Sequence, residues 1–127
     1  MHESSAGPTC VRRLFVLLCG FEILPKSVST RDLGHRFILS EPVCSYLLDT
    51  DSGWVLLDTG INPANARDPD RMRDKYLRHG LAPPVVRDHH LLLRQLSDLG
   101  LRPADVDHVI LSHLHYDHLD LPSLRKL

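Results

Sequence analysis

An α/β fold is predicted for this chain by three observations. Strand-like runs recur along it, at Val11–Cys19, Pro42–Leu48, Trp54–Leu57 and Val106–Leu111. Between the last two lies a stretch, Asp88–Leu99, whose leucines fall at helical spacing. Two of the strands also run directly into chemistry-bearing residues, Asp58-Thr59-Gly60 after Leu57 and a histidine cluster after Leu111. In α/β sheets the carboxyl ends of strands are where ligands collect.

Each element has its own justification. Residues 1–10 are polar and contain Gly and Pro, and read as a flexible lead-in to a single domain over 11–127. Val11–Cys19 is nearly continuous in apolar residues, as expected of a strand buried on both faces. Pro25–Thr30 is turn-like and Gly34–Leu39 a candidate short strand. Pro42–Leu48 and Trp54–Leu57 are clearer strands, and Asp49-Thr50-Asp51-Ser52-Gly53 between them supplies hairpin-turn residues.

Asn62–Asp70 reads as a polar loop. Asp68-Pro69 forms an N-cap and first helical position, and Gly80 a C′ residue, around a charged helix containing Met72 and Tyr76. In the next helix Asp88 is the expected cap, Leu92, Leu96 and Leu99 the apolar stripe, and Gly100 the end. His89 and His90 in its first turn read as exposed helix residues. Pro103-Ala104-Asp105 turns the chain into the core strand Val106–Leu111, and Leu119–Leu127 begins a further helix with Pro122 near its start.

Composition excludes several classes. The chain has 127 residues, 43% hydrophobic and 24% charged, which suits one globular domain with a real core. Fifteen basic against sixteen acidic residues give a net charge of -1, so no electrostatic case exists for nucleic acid or an anionic membrane. No stretch approaches the ~20 apolar residues that span a bilayer. Arg12-Arg13 before Leu14–Leu18 has the look of a secretory signal, but Gly20 and Glu22 interrupt the run and no small-x-small cleavage site follows. Cys10, Cys19 and Cys44 are an odd number at unrelated spacings, which suggests no disulfide framework and a reducing cytoplasm.

The histidine cluster is His113-Leu114-His115-Tyr116-Asp117-His118. Imidazole nitrogen and carboxylate oxygen are what zinc and similar ions take as ligands. In an extended segment His113 and His115 point the same way. Asp117 and His118 follow across a tight turn, so one short loop can address two neighbouring metals. Asp-x-Gly alone is ordinary turn chemistry; beside this motif Asp58 becomes informative. His108 reads as structural.

The pattern His-x-His-x-Asp-His resembles the signature of the metallo-β-lactamase-fold hydrolases. The order of hairpin, Asp-Thr-Gly, helical insert, helix, strand and motif is similar to the amino-terminal αβ half of their αββα sandwich. Within that superfamily Pro42–Thr50, Leu57–Gly60 and Ile110–His118 look like the N-acyl-homoserine lactonases. The resemblance covers about residues 11–118.

It implies a zinc-dependent hydrolase acting on a small molecule, with two zinc ions in the intact enzyme. His113 and His115 would hold the first metal, Asp117 and His118 the second, and a hydroxide between the ions would attack the lactone carbonyl. Asp117 would also carry the hydroxide's proton to the leaving alkoxide, and Asp58 would orient a motif residue by hydrogen bonding. Two features depart from the family. After the motif stands Leu119-Asp120, more like the branch that includes the N-acyl-phosphatidylethanolamine phospholipase D enzymes. The family's remaining ligands and second αβ half lie beyond Leu127, so the domain reads as incomplete at its carboxyl end. The expectation is therefore the amino-terminal half of a lactone hydrolase. The alternatives are a hydrolase of the same fold acting on phosphodiesters, thioesters or β-lactams, or an inactive fragment that binds metal poorly or not at all.

Overall fold

The computed structural model describes residues 7–127 apart from Asp32, Tyr116 and Asp117. Four strands form one sheet in the order β1-β2-β3-β4: β1 Val11–Pro25, β2 Ile38–Thr50, β3 Gly53–Leu57 and β4 Val106–Ile110. The first three are joined as antiparallel neighbours, whereas β3 and β4 run parallel. A parallel pair needs a crossover, and residues 58–105 supply it with three helices, α2 Ala64–Arg67, α3 Pro69–Lys75 and α4 Leu92–Asp98.

The first hairpin is longer than its apolar runs suggested. Pairing continues to Pro25↔Ile38, and the loop beyond holds a single helical turn, α1 Lys26–Ser29, where a plain turn was expected. A register shift between Leu18 and Phe21 marks a bulge at Gly20, whose φ is 128°. A Cβ at Gly20 would stand 2.8 Å from the Val85 carbonyl oxygen. That close approach lets Phe21 and Val85 exchange main-chain hydrogen bonds of 3.0 and 2.9 Å, tying the crossover to β1.

Between β2 and β3 the expected tight turn forms, with Thr50 opposite Gly53. Gly53 is demanded by its neighbour: the Asp107 carboxylate sits where a Cβ would be and accepts the Trp54 N–H at 2.7 Å. Asp107 is skipped in the β3–β4 pairing, so Val106 and Val109 face one side of the sheet while His108 and Ile110 face the other.

One face of the sheet is covered. Leu17 and Cys19 from β1, Leu47 from β2, Leu56 from β3 and Val106 from β4 pack with Leu92 and Leu96 of α4. Leu47, Leu56 and Leu96 are fully buried, each worth about 1.5–3 kcal/mol of apolar transfer. The opposite face is largely open to solvent among the described residues. Leu14, Val16, Tyr46 and Ile110 are exposed there, so β1 is not buried on both faces as its sequence suggested, and β4 is a core strand on one side only.

Local signals in the crossover are followed closely in one helix and loosely in the next. Asp68 caps α3 by accepting from Asp70 N and Arg71 N, Pro69 opens it, and Gly80 ends the following turn with φ 71°. The expected helix over Asp88–Leu99 is split. Asp88–His90 is a 3-10 turn, Leu91 is extended, and α4 starts at Leu92. Asp88 caps nothing by its side chain and pairs with Arg67 at 2.7 Å. His90 is buried, a correction to its reading as an exposed residue: its Nδ1 accepts the Arg87 N–H at 3.1 Å and its ring meets Phe21 edge-on. Leu99 is exposed, so the apolar stripe ends at Leu96. The polar loop after Asn62 contains α2, and the last helix is one turn, α5 Leu121–Leu124. Cys10, Cys19 and Cys44 are free thiols. Among the described residues no helix is long and apolar enough to cross a membrane.

Candidate metal centre

Parallel β3 and β4 end side by side, and their carboxyl ends present the Asp58 loop and the histidine loop together. The ladder runs one step past the strands, Asp58 N donating to Ile110 O at 2.8 Å. Asp58 then adopts φ 60°, the left-handed region that Asp tolerates better than most residues. This turns its carboxylate across to the neighbouring chain end. Oδ1 accepts the Ser112 N–H at 2.7 Å, and Oδ2 lies 2.7 Å from Ser112 Oγ and 2.9 Å from His118 Nδ1.

The next two residues tighten the same junction. Thr59 N donates to the His118 carbonyl at 3.1 Å, and Thr59 Oγ1 accepts from Asp120 N at 2.8 Å. Gly60, at φ 75°, lies so close to Cys19 that an added Cβ would come within 2.7 Å of the Cys19 Sγ. Asp-Thr-Gly is therefore a clamp: the carboxylate holds the start and end of the histidine loop, the threonine holds its exit, and the glycine lets the backbone press against β1.

Within the loop the rings of His113 and His115 are 4.8 Å apart between centroids, and those of His113 and His118 are 4.2 Å apart. His118 N donates to His115 O at 3.1 Å. His113 and His115 are exposed, His118 is half-buried and Asp58 is buried. Asp117, expected as ligand and proton carrier, lies outside the described residues. Among the described residues, no three of His, Cys, Asp and Glu already form a closed ligand set.

The donor chemistry nevertheless fits a metal ion. Three imidazoles gather at one strand end, and an anionic carboxylate stands behind one of them as a hydrogen-bond acceptor, the arrangement that orients metal-bound histidines. Burial pushes the Asp58 carboxyl up, but hydrogen bonds from the Ser112 main chain and hydroxyl, and from His118, outweigh it and hold it below the usual carboxylate range. The buried side chain of Asp120 behaves oppositely. Burial pushes its carboxyl pKa up by more than the 2.5 Å bond from Ser123 Oγ brings it down.

Two groups of residues beside the motif carried no assignment from sequence. Ser112 and Thr59 hold the loops together; their adjacency to His113 and Asp58 was the only signal available. Glu22 and Tyr76, both buried, approach each other at 3.4 Å and line a cavity of about 460 Å³ with Leu24, Lys75, Leu81, Leu114 and His115. Nothing local in either stretch marked them. His108 faces the outer side of the sheet, opposite Val55, and takes no part.

Comparison with known proteins agrees with this geometry. The family model described as the metallo-beta-lactamase superfamily matches residues 41–119. An N-acyl homoserine lactonase of Bacillus cereus is 31% identical over 108 residues, 85% of this chain and 43% of the relative. A probable metallo-hydrolase of Mycobacterium tuberculosis is 38% identical over 73 residues, 58% of this chain and 23% of that one. Among solved structures, an N-acyl homoserine lactone hydrolase with N-hexanoyl-L-homoserine bound at its catalytic metal center is similar with a TM-score of 0.74 and 29% identity, over 85% of this chain and 43% of that chain. The chain thus spans less than half the length of these relatives.

Proposed function

Because the chain belongs to the metallo-beta-lactamase superfamily, its four-stranded sheet matching the amino-terminal part of that fold, we propose that it supplies the metal-binding half of a hydrolase that opens the lactone ring of N-acyl-homoserine lactones. The observation that carries this reading is the meeting of Asp58 with His118 and Ser112 at the strand ends, which poises a histidine cluster of metal-ligand type. The likeness to lactonases supports the substrate class.

In this reading His113 and His115 hold one zinc ion, and Asp117 and His118 a second. Bound there, the ions would supply Lewis acidity, lowering the pKa of water towards neutrality and polarising a carbonyl. The protein's own residues do the rest. Asp58 orients the His118 ring. Asp117 takes the proton of the attacking water and passes it to the leaving alkoxide. The largely apolar surface of the cavity beside His115 suits an acyl chain, and Glu22, Lys75 and Tyr76 add polar groups to its wall. Three free thiols suit a reducing compartment, the cytoplasm.

The test uses the full-length protein purified after zinc-replete expression. It should contain near two equivalents of zinc and hydrolyse N-hexanoyl-homoserine lactone, losing activity to a chelator and regaining it with zinc. Asp117→Asn should lower kcat far more than it changes KM. A kcat within about tenfold of the parent, ~1.4 kcal/mol, would remove Asp117 as the proton carrier. Turnover of a phosphodiester, thioester or β-lactam with the lactone untouched would keep the metal centre and overturn the substrate.

A further inference from the structure

We propose that Ser112 is a positioning residue that carries the hold of Asp58 on to His113, so that one buried carboxylate presets the ring tautomer of a ligand on each side of the metal pair. The proposal rests on the metal-centre reading above and extends it to a residue which that reading does not use.

The argument is one of proton counting. Ser112 Oγ lies 2.7 Å from Asp58 Oδ2 and 2.9 Å from His113 Nδ1. A hydroxyl has one proton to donate and two lone pairs with which to accept. A carboxylate oxygen can only accept, so the hydroxyl proton is directed to Asp58. Turned towards His113 instead, it would leave two oxygen lone pairs facing each other at 2.7 Å. Ser112 Oγ is then an acceptor towards His113, and Nδ1 must bring the proton. That fixes His113 as the Nδ1–H tautomer, with its lone pair on Nε2.

The same carboxylate oxygen meets His118 Nδ1 at 2.9 Å. By the same reasoning His118 also carries its proton on Nδ1 and its lone pair on Nε2. A continuous chain His118–Asp58–Ser112–His113 results, with the two rings 4.2 Å apart at its ends. Its geometry is pinned by the Ser112 N–H on Asp58 Oδ1 at 2.7 Å, so Ser112 grips both oxygens of one carboxylate. Histidine ligands bind metal through the nitrogen that the other nitrogen's hydrogen bond leaves for it. Asp58 thereby sets one ligand directly and another through a single hydroxyl.

Ser112 is exposed, so losing its hydroxyl removes little packing, and the main-chain bond to Asp58 survives any substitution except proline. Ser112→Ala therefore isolates the hydroxyl, and Ser112→Thr restores it. The first readout is the 15N spectrum of the histidine rings in the metal-free protein. His113 should be protonated on Nδ1 in the parent and in Ser112→Thr, and should move towards the Nε2–H form in Ser112→Ala while His118 stays unchanged. The second is titration with cobalt(II), followed by its electronic spectrum. Ser112→Ala should weaken one of two sites by about 10- to 100-fold, the usual effect of removing a ligand's hydrogen-bond partner, and Ser112→Thr should recover it. His113 in the Nε2–H form in the parent would overturn the proposal, even should Ser112→Ala fail to fold. So would Ser112→Ala matching the parent in both readouts. A parent that takes up no cobalt would overturn the metal-centre reading itself, whereas normal uptake with the wrong His113 tautomer overturns only the role of Ser112.

Discussion

Asp58 Oδ2 lies 2.9 Å from His118 Nδ1, although sixty positions separate the two residues in the chain. The contact joins the ends of β3 and β4 and commits a buried carboxylate to the edge of the histidine loop. Replacing Asp58 by alanine leaves the Ser112 N–H, the Ser112 hydroxyl and the His118 ring without their shared acceptor. Zinc affinity of the full-length protein should fall by about 10- to 100-fold, measured by competition with a chromophoric chelator. Affinity equal to the parent's in a folded Asp58→Ala protein would mean that the histidines are oriented by something else.

Gly60 should be the least replaceable glycine in the site. A Cβ there would overlap Cys19, on a backbone at φ 75° that side chains rarely adopt. Strain of about 1–3 kcal/mol joins an overpacking cost of about 1–3 kcal/mol, so Gly60→Ala should lose about 2–6 kcal/mol of stability. Gly80 provides the control. Its φ is 71°, but nothing lies within 4 Å of the added atom, so Gly80→Ala should show the conformational strain alone. Denaturant midpoints of the two variants should differ clearly, and equal losses would show that Cys19 yields to the new methyl group.

The parts of this fold legible in the sequence are those decided locally. The strand ends before Asp58 and Ser112, the Thr50–Gly53 turn, and the Asp68, Pro69 and Gly80 signals around α3 each depend on residues a few positions apart. What was illegible depends on partners elsewhere. His90 is buried because Phe21, on β1, packs against its ring, and Asp88 fails as a cap while Arg67 holds its carboxylate. Val11–Cys19 reads as doubly buried because an apolar run does not reveal whether a second layer covers it. In the candidate site the histidines were legible as a cluster within six residues. The Ser112 link was not, because a serine before histidine has meaning only once Asp58 is brought beside it.

Asp49 should give the protein an acid-sensitive step. It is buried between two guanidiniums, with Arg12 and Arg13 each at 2.7 Å, and their hydrogen bonds hold its carboxyl below the usual carboxylate range. A carboxyl with a lower folded pKa stabilises the fold fully above its unfolded value, near ~3.9, and loses that contribution as pH falls through the folded value. The difference in unfolding midpoint between the parent and Asp49→Asn should therefore be constant above about pH 5 and shrink below about pH 4. A difference that stays level down to pH 2 would show that the arginines stabilise Asp49 no better folded than unfolded.

The uncovered face of the sheet yields the last prediction. Val16 pairs with Tyr46, Tyr46 with Leu57 and Leu57 with Ile110, so one row of apolar side chains crosses all four strands on the side away from α4. Val16 is 60% exposed and Ile110 is 52% exposed. An apolar surface continuous over four strands favours association, because burying it releases about 25 cal/mol per Å². The 127-residue chain expressed alone should therefore self-associate and bind a hydrophobic dye. Charges placed in the row, as in Val16→Lys with Ile110→Glu, should reduce both without touching the covered core of Leu47, Leu56 and Leu96. Sedimentation velocity and dye fluorescence at several concentrations would decide the matter. A parent chain that sediments as a single monomer, melts cooperatively and turns over lactone with zinc would show that this face needs no cover.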